Sequence, residues 1–241
     1  MGLKLKKARL IENYQVDMEH YRSLVSPNTI AMVGVAGTTS LGLIDPIREM
    51  GKLAKNYNLF FHVDGAFGGL VLPFLDELGH ELPPYGLEVP EVCSYTVDPH
   101  KFGMGINPSG GILIRDSTLS DHGFIIPYLA GGGFKTFNIL GTRPAASAIS
   151  FWALMHRLGR EGFLQVVQRA WNMTKYLQEE IESLPWLRVA IDPVTPVLGL
   201  KTTEHSPIPC EKLDIKLPER GWAPGHPNPS DHSRDPMTPP L

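Results

Sequence analysis

Two short apolar runs, residues 30–36 and 59–64, flank a helical stretch, and that arrangement leaves the chain few folds. The first run carries no polar side chain, as a central parallel strand covered on both faces would. Between the runs Ile47, Met50, Leu53, Ala54 and Tyr57 recur at helical spacing, so the face they share is expected to cover the sheet. Asp45-Pro46 is expected to start that helix, with the carboxylate as N-cap and the proline in the first helical position. Strand, helix and strand in this order form a βαβ unit, right-handed in nearly all proteins, which predicts an α/β fold with a mostly parallel sheet. Ligands of such sheets gather at the C-terminal ends of the strands. Thr38 and Thr39, in the polar loop of residues 37–42, and Asp64, closing the second run, fall on that rim.

A third segment reaches the same rim. Along residues 93–98, Cys93, Tyr95 and Val97 share one strand face, and Ser94, Thr96 and Asp98 share the other, the polar face expected to look toward a ligand. The strand stops at Asp98-Pro99, and a glycine-loosened loop then presents His100 and Lys101. Most loop lysines are solvated surface groups. A lysine and an aspartate at the ends of two buried strands are a different case. The amine can form an imine with an aldehyde cofactor, and the carboxylate can hold the proton on a pyridine nitrogen, the two protein groups that pyridoxal phosphate chemistry requires. His62 and Asp64 also share a face, as a metal pair would, but no third ligand offers itself at a suitable spacing. His62 is instead expected to hydrogen-bond Asp64.

With Asp98-Pro99-His100-Lys101 following His62-Val63-Asp64, residues 1 to about 203 resemble the group II pyridoxal-phosphate-dependent amino-acid decarboxylases, in particular the archaeal L-tyrosine/L-aspartate type. The resemblance implies a fold type I, PLP-dependent transferase-like large domain, here incomplete, over residues 1–144. Linking helices and a partial small α+β domain follow over 145–203, and a proline-rich, disordered or divergent tail over 204–241. It implies that Lys101 holds pyridoxal phosphate as an imine and Asp64 keeps the pyridine nitrogen protonated. Ala66 would pack under the ring, Thr38 and Thr39 would lie beside the cofactor, and His100 near its phosphate or the substrate carboxylate. The reaction implied is loss of carbon dioxide from a small L-amino acid, aspartate or tyrosine and possibly glutamate, in a homodimer.

The remaining segments fit this layout. Residues 1–10 alternate as a half-exposed strand, 17–24 suit a short helix, and 110–115 follow Asp98 after only eleven residues, which predicts an antiparallel return. Gly131-Gly132-Gly133 is a weak candidate phosphate loop, whereas Gly141-Thr142-Arg143 precedes Pro144 and a helix, so Arg143 could meet an anion or a substrate carboxylate. Residues 145–158 and 161–184 read as two helices, the second with an apolar stripe through Phe163, Val167, Thr174 and Leu177. Residues 186–191 and 197–201 read as strands of the smaller domain. A net charge of −3 with scattered cations gives no footprint for nucleic acid, and no window is apolar enough to span a membrane. Two cysteines, Cys93 and Cys210, make no disulfide framework and suit the cytoplasm.

Two parts expected from the resemblance are not found upstream: a cradle of backbone donors for the cofactor phosphate, and a histidine stacked on the ring. His20 sits inside the predicted helix. The chain therefore reads as roughly the C-terminal two thirds of a decarboxylase, entered at an internal methionine. One reading is a decarboxylase whose N-terminal part is supplied separately. The other is a non-catalytic remnant or subunit that pairs with a full-length relative.

Overall fold

A computed structural model of the chain describes residues 2–122, 124–128, 132–136, 144–207 and 209–222. Residues 2–9 form no strand, and the isolated antiparallel bridge that follows joins Leu10 to Val16, so the alternation expected over residues 1–10 does not find a sheet to join. Helix α1 (Met18–Ser23) follows, capped by the Asp17 carboxylate, which accepts the His20 N–H at 2.9 Å.

The first βαβ unit forms as expected: β1 (Ala31–Val35), α2 (Ile47–Asn56) and β2 (Phe60–Asp64), with β1 and β2 parallel. A 3-10 turn at Gly68–Leu70 and α3 (Leu72–Glu77) lead to β3 (Ser94–Val97), parallel to β2. Strand β4 (Gly111–Ile114) returns antiparallel against β3, as the short connection required. The sheet order is β1-β2-β3-β4.

Two expectations about this unit are corrected. Strand β1 is an edge strand among the described residues, and only one of its faces is covered: Met32 and Gly34 are buried, but Val33 is 51% exposed. Asp45 does not cap α2, whose N-cap is Pro46; its carboxylate accepts the Val35 N–H at 2.8 Å instead. A buried carboxylate bonded to strand backbone pins the loop of residues 37–45 to β1. Of the stripe on α2, Ile47, Met50, Leu53 and Ala54 are buried and Tyr57, at the C-cap, is exposed.

Beneath the covered face lies one core, in which Ile47, Met50, Phe61, Val63, Val71, Leu72 and Leu75 are the tightest members. Gly34 lets α2 approach β1, since a Cβ there would sit 2.7 Å from Ile47 and 2.9 Å from Met50. A hairpin of β5 (Phe124–Tyr128) and β6 (Gly132–Thr136) follows. Helix α4 (Ala146–Glu182) is two helices joined at Gly159, whose φ of 61° lies in the left-handed region that glycine tolerates, so the expected division near residues 159–160 is where the chain bends. Its second half packs on α3 through the stacked rings of Phe163 and Phe74, 5.3 Å apart, with Arg160 paired to Glu77 at 2.8 Å.

Strands β7 (Leu187–Val189) and β8 (Leu200–Thr202) pair antiparallel in a second small sheet. The link between them is tied to the first unit, where the buried Thr195 hydroxyl donates to the Gly42 carbonyl at 3.2 Å. The expectation of disorder from residue 204 is corrected in part: α5 (Cys210–Lys216) and a 3-10 turn at Pro218–Arg220 form, while residues 223–241 lie outside the described ones.

Tyr95, 5% exposed, fills the space left by three glycines: a Cβ on Gly65 would collide with its ring, and Cβ atoms on Gly69 and Gly86 would lie 3.1 and 3.3 Å from it. Burial pushes its phenol pKa up, and its hydroxyl has no hydrogen-bond partner among the described residues. Removing an unpaired buried O–H removes a desolvation cost, so Tyr95→Phe should leave stability unchanged or raise it by about 1 kcal/mol in denaturant melts. A loss of stability would mean that the hydroxyl is bonded, for instance to an internal water.

Candidate functional site

The loops that follow β1, β2 and β3 meet at one rim, and glycines set how closely. Gly37, at φ +86°, lies against Gly68, whose backbone would stand 2.7 Å from a Cβ at position 37. A Cβ on Gly68 would collide with the Ala36 carbonyl oxygen. The third loop joins through Phe102, which meets Phe67 edge-on with ring centres 4.9 Å apart, and through Gly103, where a Cβ would sit 2.5 Å from Leu70 Cδ1. The rim therefore brings Asp64 and the segment of residues 98–101 to adjacent strand ends, as their sequence positions predict.

Within the third loop, Asp98 is the hub. Its Oδ2 lies 3.2 Å from Lys101 Nζ and 3.9 Å from His100 Nε2. Backbone bonds from Lys101 N–H to the Asp98 carbonyl (3.0 Å) and from Gly105 N–H to the Pro99 carbonyl (2.7 Å) fold the segment into successive turns. Lys101 is half-buried, not the freely solvated loop lysine of the plainer reading. His100 is fixed from the other side, its Nδ1 lying against both the carbonyl oxygen and the N–H of Ser109.

On the open sheet face, His62 Nδ1 lies 2.7 Å from the Ser94 hydroxyl and Nε2 2.9 Å from the Thr96 hydroxyl. The expected bond from His62 to Asp64 is not made, because both ring nitrogens are taken by β3. Asp64 Oδ1 accepts the Ala66 N–H at 3.0 Å, which places Ala66 directly beside the carboxylate. Burial lowers the His62 pKa below its ordinary 6.5, with the Asp64 charge pulling the other way. A depressed histidine pKa contributes stability that is complete above the unfolded value of 6.5 and is lost as pH falls below it. Melting midpoints should therefore drop more between pH 7 and pH 5 in the wild type than in His62→Gln. Equal slopes would show that the ring is not desolvated.

Thr38 serves its own loop: its hydroxyl accepts the Leu43 N–H at 3.0 Å and its carbonyl accepts the Gly42 N–H at 2.7 Å. Thr39 is exposed at the tip of that loop. Arg143, Gly131 and residues 141–142 lie outside the described residues, and Gly132 and Gly133 belong to β6. No group of three metal-ligating side chains occurs among the described residues. A surface groove of about 890 Å³ runs along α2 past Arg22, Arg48, Lys52 and Tyr57 and includes none of the rim residues. Sequence reading missed the partners that hold the rim side chains, Ser94, Thr96 and Ser109. The alternation that puts Ser94 and Thr96 on one polar face was their only signal.

An open α/β sheet with a lysine and a carboxylate at neighbouring strand ends defines a class of enzyme scaffold that works on ligands at its C-terminal rim. Residues 11–201 match the pyridoxal-dependent decarboxylase conserved domain, and the chain belongs to that family. A probable L-aspartate decarboxylase of Pyrococcus furiosus is 40% identical over 223 residues, 92% of this chain and 59% of the relative. A probable L-tyrosine/L-aspartate decarboxylase of Methanothermobacter thermautotrophicus is 42% identical over 224 residues, covering 92% and 60%. Among solved structures, a sphingosine-1-phosphate lyase of Burkholderia pseudomallei superposes with a TM-score of 0.79 at 30% identity, over 90% of this chain and 49% of that one. A Lactobacillus brevis glutamate decarboxylase superposes with a TM-score of 0.79 at 22% identity, over 93% and 53%. The fold is that of fold type I pyridoxal-phosphate enzymes. The chain spans about three fifths of the length of the curated relatives it matches.

Proposed function

We propose that this chain carries the lysine-bearing part of a pyridoxal-phosphate-dependent L-amino-acid decarboxylase, acting on aspartate or tyrosine and possibly glutamate. The observation that carries the reading is that Asp64 ends β2 beside β3, the strand whose following loop carries Lys101, in a member of this family. The donor set fits the cofactor: a half-buried amine for its aldehyde and a carboxylate for its ring nitrogen. When bound, the cofactor supplies an acceptor for the electron pair left on Cα as the carboxylate departs as carbon dioxide.

The chain's own residues do the rest. Lys101 supplies the nucleophilic nitrogen, released from Asp98 as it loses its proton. Asp64, ionised, holds a proton on the ring nitrogen. Ala66, its N–H bonded to Asp64, would pack under the ring. His100, its Nδ1 held at Ser109, would lie near the phosphate of the cofactor or the carboxylate of the substrate. Thr38 shapes the loop that would carry Thr39 beside the cofactor, and Arg143 is a candidate clamp for a substrate carboxylate.

A second reading, that the chain works only with a partner, draws on one observation. The sheet face bearing His62 and Asp64 also presents Val33, Phe60, Ile112 and Ile114, from 37% to 58% exposed. Parallel sheets are normally covered on both faces. A homodimer mate, a full-length relative, or the remaining two fifths of the relatives' length could cover it. On the division expected above, residues 1–144 carry the cofactor and 145–203 the linking helices and small domain. No helix among the described residues is long and apolar enough to cross a membrane. The two cysteines, neither in a disulfide, suit the cytoplasm. The test is covalent capture of pyridoxal phosphate at Lys101, followed by carbon dioxide release from aspartate, tyrosine and glutamate.

A further inference from the structure

The three side chains that bridge β2 and β3 on the open face have no place in the chemistry so far. In the sheet register His62 stands beside Ser94 and Asp64 beside Thr96. The imidazole spans both hydroxyls, one at each nitrogen, so it crosses from the first pair toward the second. A neutral ring donates from one nitrogen and accepts at the other, and a hydroxyl can answer either role, so both bonds are satisfied at once in either tautomer. Thr96 lies two residues before Asp98, from which Lys101 hangs by its ion pair. The clamp thus links the strand that ends in Asp64 to the strand that leads into Lys101, one residue pair back from the rim.

We propose that His62, bonded to Ser94 and Thr96, is a positioning residue that sets the offset between the Asp64 carboxylate and the Lys101 amine. The inference rests on the reading that both groups grip one cofactor, and it goes beyond that reading by naming what fixes their separation. Charge enters as well as geometry. The residues that flank His62 and Ser94 across the sheet are Val33 on β1 and Ile114 on β4, both uncharged, and the ionised neighbour on this face is Asp64 itself. A neutral imidazole leaves Asp64 free to spend its charge on the ring nitrogen; a protonated one would compete for it.

The test separates the two grips. Capture of pyridoxal phosphate needs Lys101, whereas discrimination between pyridoxal phosphate and its 1-deaza analogue, which lacks the ring nitrogen, needs Asp64 correctly placed. Dissociation constants are measured for both compounds on the full chain and on His62→Ala and His62→Gln. The wild type should favour pyridoxal phosphate about tenfold or more, the scale of one charge-assisted hydrogen bond. His62→Ala should shrink the preference to about threefold or less, and His62→Gln, which keeps a donor and an acceptor within reach of Thr96, should restore most of it. General destabilisation would weaken both compounds alike and leave their ratio unchanged, which would overturn the proposal.

Absence of Lys101-dependent capture in the wild type would sink the functional reading instead, and a cofactor-free measurement then decides the clamp. Nitrogen-15 spectra of His62 should show a ring that takes up its second proton at lower pH than a free imidazole, with Thr96→Val shifting Nε2 far more than Nδ1. A ring that titrates no lower than a free imidazole and is indifferent to Thr96→Val would overturn the proposal whatever the cofactor does.

Discussion

Lys101→Ala is expected to abolish covalent capture of pyridoxal phosphate. In the wild type, borohydride reduction after incubation with the cofactor should leave a stable adduct on the peptide containing Lys101, and a visible absorbance band should precede it. In the variant both should be absent, not merely reduced, because the nitrogen that makes the bond is gone. The loss must be assigned to chemistry and not to folding, and Lys101→Arg does that. A guanidinium keeps a permanent positive charge near Asp98, where Nζ now lies 3.2 Å from Oδ2, but it is not a usable nucleophile at neutral pH. The ion pair is partly solvated and worth about 1 kcal/mol at most, so neither variant should melt far from the wild type. Capture that survived in Lys101→Arg would place the reactive amine on another lysine, and with it the whole site.

How much of this was legible beforehand depends on what each residue answers to. The βαβ unit was, because Ile47, Met50, Leu53 and Ala54 report one periodicity and β1 and β2 another. The rim was, because its members are strand ends, and strand ends follow from strand positions. The break at Gly159 was, since a glycine between two amphipathic stretches is cheap to bend. Side-chain pairing was not. Asp45 could cap a helix or reach a strand, and its preference for the Val35 N–H depends on how the loop of residues 37–45 turns, which pattern alone does not encode. His62 could reach Asp64 along its own strand or the hydroxyls of β3 beside it, and the cross-strand choice needed the register of β2 against β3. The alternation of residues 1–10 failed for a related reason: period two describes a strand's faces and is silent on whether a neighbouring strand exists.

Gly68→Ala should have the largest effect on stability of any single methyl added to the rim, and it should carry the site with it. Its Cβ would be driven into the Ala36 carbonyl oxygen and to 2.8 Å from both the Ala36 carbonyl carbon and Leu72 Cδ1. A side chain can swing away from such a contact; the Ala36 backbone is held, since its N–H is bonded to the Asp64 carbonyl at 2.9 Å and it bridges to Ile44. Relief therefore requires the loops after β1 and β2 to part. Overpacking of a rigid site costs about 1–3 kcal/mol and sometimes more, and a backbone collision belongs at the upper end, so the melting point should fall by roughly 6–12 °C in a chain of this size. Gly79→Ala is the matching control. Its φ of +88° strains any alanine, but nothing lies within 4 Å of its Cβ, so it should cost only the left-handed penalty of about 1–2 kcal/mol. Parting the loops also moves Asp64, four residues before Gly68, away from the loop that carries Lys101. Gly68→Ala should accordingly lose affinity for pyridoxal phosphate even at temperatures where it is fully folded, and Gly79→Ala should not. If both variants bound the cofactor equally well, the close approach of Gly37 and Gly68 would be a packing detail with no part in setting the site.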